Sequence, residues 1–140
     1  MLSKNDKQNI SDYLAKRKDI QVAYLFGSQA SGKADNLSDI DIAILFNAGL
    51  TVVQRFEQKL KIMGDVGSLL GRDDVEVVDL NSAPVALRFS AIENREILFV
   101  NDDNDRVDFE SRVMTMYQDY KYFMNINSQN SLESIARMEV

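Results

Sequence analysis

Two apolar β-type runs constrain this chain most: IQVAYLF over residues 20–26 and DIDIAILF over residues 39–46. Between them lie Gly27-Ser28 and the polar stretch QASGKADNLS. In the second run Asp39, Asp41 and Ala43 alternate strictly with Ile40, Ile42 and Ile44. Side chains on a strand point to opposite faces with period two, so this alternation marks a strand with one apolar face. The two runs are expected to pair directly, and every other element has to be arranged around that couple.

The flanking sequence supplies helices and two shorter strands. Over residues 5–17, Ile10, Tyr13 and Leu14 share a helical face that Ser3 or Asn5 would cap. Residues 51–70 read as a long helix with Val52, Val53, Phe56, Leu60, Met63, Val66 and Leu70 as its apolar stripe. VEVVDL at 75–80 is a short strand, and Asn81-Ser82-Ala83-Pro84 opens a helix running to about Asn94. ILFV at 97–100 is a fourth strand. A last helix spans 103–124, with Phe109, Val113, Met116, Tyr117, Tyr120 and Phe123 among its apolar residues. The order α-β-β-α-β-α-β-α predicts an α+β (mixed α/β) fold with a mixed central sheet of about four strands flanked by helices. Residues 1–125 form a single domain in this reading, and residues 126–140 form a polar, loose C-terminal tail.

Composition removes whole classes of chemistry. The 140 residues include neither His nor Cys. That excludes an imidazole general base, a thiol nucleophile, an iron–sulfur cluster and zinc sites built on either ligand. A metal here has to be a hard ion on oxygen ligands, and Mg²⁺ is the first expectation. Sixteen Lys and Arg against 22 Asp and Glu leave a net charge of −6, which argues against a broad nucleic-acid-binding face. The first residues, MLSKNDKQNI, lack the apolar core of a signal peptide. No apolar run approaches the roughly 20 residues of a membrane span, so the cytoplasm is the expected location.

Asp39 and Asp41 are the most informative pair. At positions i and i+2 of a strand their carboxylates project side by side. Two such charges repel and are costly to desolvate unless a cation joins them. Mg²⁺ takes one or two carboxylates together with substrate phosphates and water. Gly27-Ser28 directly follows the first strand, where Gly lets the backbone approach a ligand and Ser adds a hydroxyl donor. A helical turn starting there would offer free N–H groups to a phosphate. Ten residues separate Ser28 from Asp39, giving G-S-x10-D-x-D across a strand–turn–strand unit. Such a unit sets phosphate donors and metal ligands at one end of a sheet.

The segment LFGSQASGKADNLSDIDIAILF resembles the signature of the DNA polymerase β nucleotidyltransferase superfamily. More narrowly, the chain resembles the minimal nucleotidyltransferase (MNT) antitoxins of HEPN/MNT toxin–antitoxin pairs. The softer part of that likeness is EVVDLNSAPVALRFSAIENREILFVNDDNDRVDFESRVMTMYQDY. The resemblance implies a polymerase-β-like fold and transfer of AMP from ATP to a tyrosine of a cognate HEPN ribonuclease toxin. It implies two Mg²⁺ ions held by Asp39, Asp41 and a third carboxylate, with Gly27 and Ser28 on the ATP phosphates. Glu76 is the expected third acid, at a position where Asp is more usual in the family, and Asp79 is the alternative. The turn after Gly-Ser lacks the Arg that such proteins often carry, leaving Lys33 as the nearby cation. Ser38 also matches the family. Arg88 either faces a substrate or, the preferred reading, pairs with Glu93 or another surface acid. Two other functions stay open: an antitoxin that neutralises by binding alone with a degenerate site, and a nucleotidyltransferase acting on a small molecule such as an aminoglycoside.

Overall fold

The computed structural model describes residues 2–27, 39–93 and 95–138, with side chains as far as Ser128. Among these residues the order is α1 (Lys4–Ala15), β1 (Ile20–Phe26), β2 (Ile40–Phe46), α2 (Val52–Leu70), β3 (Val75–Asp79), α3 (Val85–Glu93), β4 (Glu96–Val100) and α4 (Asp103–Met138). The strands form one sheet in the order β3-β2-β1-β4. β1 pairs antiparallel with both β2 and β4, while α2 carries the chain across so that β3 runs parallel to β2. The mixed four-stranded sheet expected from the element order is the one observed.

Local chemistry accounts for the element ends. Ser3 caps α1 in a reciprocal box: Asp6 N–H donates to Ser3 Oγ at 3.0 Å and Ser3 N–H donates to the Asp6 carboxylate at 3.3 Å. Thr51 and Gln54 repeat the device on α2, with N–H to side-chain distances of 2.9 and 3.1 Å. Asn81 does not cap α3 as its position suggested. Its side chain instead accepts from Phe46 N–H at 2.8 Å and donates to the Phe46 carbonyl at 3.1 Å, extending the edge of β2. Pro84 opens the helix, its carbonyl accepting from Arg88 N–H.

Helices cover both sheet faces, which is why β1 and β2 are apolar almost throughout. On one face α1 and α2 bring Ile10, Leu14, Ile62 and Val66 onto Ala23, Leu25, Ile42 and Ile44. On the other, α3 and α4 bring Ala91, Ile92, Phe109 and Val113 onto Val22, Tyr24, Ala43 and Leu45. Fully burying a side chain of this size contributes roughly 1.5–3 kcal/mol.

Two expectations need correcting. The apolar stripe assigned to α2 splits: Val66 is buried and Met63 and Leu70 pack against the core, whereas Val52, Val53, Phe56 and Leu60 face solvent, and Ile62, outside that stripe, is buried. At about 100° per residue, Ile62 and Val66 fall within roughly 20° of Arg55, so Arg55 sets the inward face of the first turns. Arg55 is there because it pairs with Asp79 at 2.8 Å. The last helix also does not stop near Met124. α4 continues to Met138, so residues 126–138, marked as tail by their polarity, belong to the helix.

One polar cluster is built into the second core. Glu110 of α4 is buried, and accepts from the Tyr24 hydroxyl at 2.8 Å. Arg95 approaches the same carboxylate at 2.9 Å and Arg106 at 3.2 Å. Two cations and a phenol satisfy one acid, and the cluster ties α4 to the centre of the sheet. Burial first, and then donation to Glu110, pushes the Tyr24 phenol far above its ordinary range.

Candidate functional site

The site is built where β1 ends and β2 begins. In the antiparallel register Phe26 stands opposite Asp41, and in the parallel register Asp41 stands opposite Glu76. Parallel partners direct side chains to the same face, so the carboxylates of Asp41 and Glu76 are cross-strand neighbours. Asp39, two residues before Asp41, lies just outside the strand end and is exposed. Glu76 is also exposed and Asp41 is half-buried.

These acids act on one another. The Asp41 carboxyl is raised above the ordinary carboxylate range, chiefly by burial, then by the negative charges of Asp39 and Glu76. Each of those causes disfavours the charged form, and a cation at the cluster would relieve all three. Gly27 shapes the same corner. It sits at φ 72°, a left-handed conformation that side chains disfavour. A Cβ there would lie 2.6 Å from Asp41 Oδ2. The glycine therefore lets the chain turn directly over the Asp41 carboxylate.

Asp79 is placed elsewhere. It stands opposite Ile44 at the far end of β3, on the face covered by α2. Its carboxylate is paired with Arg55 at 2.8 Å and accepts from Asn81 N–H at 2.9 Å and the Ser82 hydroxyl at 2.8 Å. Between the two readings of the third acid, the register brings Glu76 to Asp41 and leaves Asp79 fully engaged in a structural contact. Ser28, Lys33 and Ser38 lie outside the described residues.

Oxygen-only donors, mutual repulsion and one half-buried member fit a hard divalent cation. Among the described residues, no three acids are gathered closely enough to form a ready-made metal cage. An ion shared with the oxygens of a bound ligand suits this arrangement better than one enclosed by protein alone. A surface depression of about 790 Å³ is lined by Arg17, Asn47 and Gln58 near the opposite ends of these strands, and does not touch the acids.

Arg88 departs from its expected pairing. It donates to the Asn81 carbonyl at 2.8 Å rather than to Glu93, and its Nε is buried with no acceptor. Sequence reasoning missed the Glu110 cluster altogether. Its available signal was an acid lying between Phe109 and Val113, with Arg106 one turn before it.

Comparison with known proteins places this geometry. Residues 8–104 match the family described as Polymerase beta, Nucleotidyltransferase. A relative from Shewanella oneidensis, the protein adenylyltransferase MntA, is 33% identical over 99 residues, covering 71% of this chain and 67% of MntA. A crystal structure of a toxin–antitoxin with AMP-PNP superposes with a TM-score of 0.70 at 27% identity, over 91% of this chain and 98% of that one. A structure of tri-AMPylated Shewanella oneidensis HEPN toxin in complex with MNT antitoxin gives a TM-score of 0.63 at 25% identity, over 90% and 98% of the two chains. The present chain belongs to the polymerase β nucleotidyltransferase family.

Proposed function

We propose that this chain is a protein adenylyltransferase of the MNT antitoxin type, transferring AMP from ATP to a tyrosine of a cognate HEPN ribonuclease toxin and so neutralising it. The observation that carries this reading is the Asp41–Glu76 register beneath Gly27, together with a relative named for the same activity. In the reaction, the tyrosyl oxygen attacks the α-phosphorus of ATP and forms a new P–O bond. The α–β anhydride bond breaks, and pyrophosphate leaves with its electron pair. Gly27 and Ser28 bind the triphosphate. Asp39, Asp41 and Glu76 hold Mg²⁺, and Glu76, the exposed acid across from Asp41, helps receive the tyrosyl proton. Bound Mg²⁺ supplies charge neutralisation for the triphosphate and the leaving pyrophosphate.

ATP and Mg²⁺ are available in the cytoplasm, which is where this reading places the chain. Among the described residues no helix is long and apolar enough to cross a membrane. The absence of His is no obstacle, because carboxylates supply both ion binding and proton transfer.

The open arrangement of the acids favours one other reading, in which the chain neutralises its partner by binding alone. Purified chain, toxin and ATP labelled on the α-phosphate separate the two. Transfer of label to the toxin by wild type, abolished by Asp39→Ala/Asp41→Ala, supports the enzyme. Neutralisation by the double variant without any label supports binding alone.

A further inference from the structure

At the end of the sheet away from the acids, α3 and α4 leave a cavity of about 320 Å³ bordered by Gln21, Leu45, Asn81, Arg88, Phe109 and Met116. Leu45 lies four residues beyond Asp41 on β2, about 13 Å further along the strand. The cavity is thus separate from the nucleotidyltransferase corner. Its lining mixes apolar side chains with the polar groups of Gln21 and Asn81 and two cations, Arg88 and Arg112.

A guanidinium has five N–H donors and no acceptor. Arg88 spends one on the Asn81 carbonyl, and its Nε is out of solvent with no partner. No carboxylate among the described residues forms an ion pair with it. The neighbouring cation, Arg112, is already paired with Asp108 at 3.2 Å. Although the chain has six excess acids, none of the described ones compensates this half-buried positive charge. Leaving such a group unsatisfied is costly unless something else completes it.

We infer that this cavity receives an Asp or Glu side chain of a protein partner. A carboxylate matches the planar guanidinium with two oxygens, the geometry that makes such pairs strong and directional. Met116 at its mouth is exposed, and Tyr120, one turn further along the same side of α4, is exposed as well. Arginine beside exposed Met and Tyr side chains is a combination common in protein-binding hot spots, and a free anion would make no use of that apolar surface. The inference rests on the reading that the chain acts on a toxin, and it assigns the toxin an acidic anchor at a point distant from the modified tyrosine.

The experiment follows the Arg88 Nε–Hε resonance in ¹⁵N-labelled chain while purified HEPN toxin, ATP or inorganic phosphate is added. Toxin is expected to shift that resonance at near-equimolar ratio, with ATP and phosphate leaving it in place. Arg88→Glu is expected to weaken the complex at least tenfold, with Arg88→Lys between the two, while thermal melts report whether each variant folds. A wild-type complex that leaves the resonance unmoved overturns the inference, and the resonance decides this even if the variants fail to fold. An equal shift with phosphate identifies a small-anion site instead and also overturns it. If wild type forms no complex with toxin, the functional reading itself fails and this inference with it.

Discussion

A Cβ on Gly27 would stand 2.6 Å from Asp41 Oδ2, at a backbone φ of 72°. One residue thus meets two independent demands, a left-handed turn at the end of β1 and a clear approach to the half-buried acid of β2. Gly27→Ala is expected to cost roughly 1–2 kcal/mol for the backbone conformation alone. It should also reduce AMP transfer far more than it reduces stability, because Asp41 has to move aside. Urea denaturation and labelled-ATP transfer, measured on the same variant, check both halves.

Asp41 carries a raised pKa, so the folded chain holds that proton more tightly than the unfolded chain does. Its charged form therefore opposes folding, and the penalty grows as pH rises from about 3.8 through the higher folded value. Asp41→Asn removes the penalty. The variant should melt higher than wild type at neutral pH, the two should converge in acid, and AMP transfer should vanish. Adding Mg²⁺ should raise the wild-type melting temperature and move the variant less. Melting curves across pH, with and without Mg²⁺, test the signs.

Glu76 and Asp79 are separated by position, and the proposed function gives them different roles. Glu76→Gln should reduce AMP transfer by two or more orders of magnitude with little change in stability, since the side chain is exposed. Asp79→Asn should leave transfer within about threefold and lower stability by about 1 kcal/mol or more, because it breaks a partly buried pair with Arg55. A reversed pattern in the kinetics would mean that the third acid is Asp79.

Glu110→Ala removes the shared acceptor of Arg95, Arg106 and the Tyr24 hydroxyl, leaving Arg106 with Asp103 and Arg95 with the Ile92 carbonyl. Removing one partner of a buried ionic cluster costs about 3–5 kcal/mol. The lower end is expected here, because both arginines retain some solvent. Equilibrium urea unfolding measures it, and a loss under 1 kcal/mol would show that the cluster contributes little to holding α4 on the sheet.

The strand couple and its acids were legible in the sequence because period-two alternation and apolar runs report burial directly. DIDIAILF could hardly pack in any other register. The third acid was less legible: alternation separates Glu76 from Asp79 by face, yet only the parallel pairing of β3 on β2 decides which face meets Asp41. The α2 stripe misled for a related reason. Val52, Phe56 and Leu60 have helical spacing, but the inward position of the first turns belongs to a charged residue, Arg55, whose partner lies 24 residues away. Long-range pairs leave no periodic trace, and the Tyr24–Glu110 contact, 86 residues apart, escaped notice on the same ground, although Arg106 one turn before Glu110 was a local signal. Polarity at 126–138 suggested a tail because exposed helix and loop share that composition.

The most direct test is the intact mass of purified HEPN toxin after incubation with ATP, Mg²⁺ and this chain. Wild type should add one or more AMP masses, removed by substituting the acceptor tyrosine, while Asp39→Ala/Asp41→Ala and Glu76→Gln leave the toxin unmodified. Toxin that gains AMP equally from wild type and from the acid variants, or that is neutralised with no gain of mass, would contradict the account.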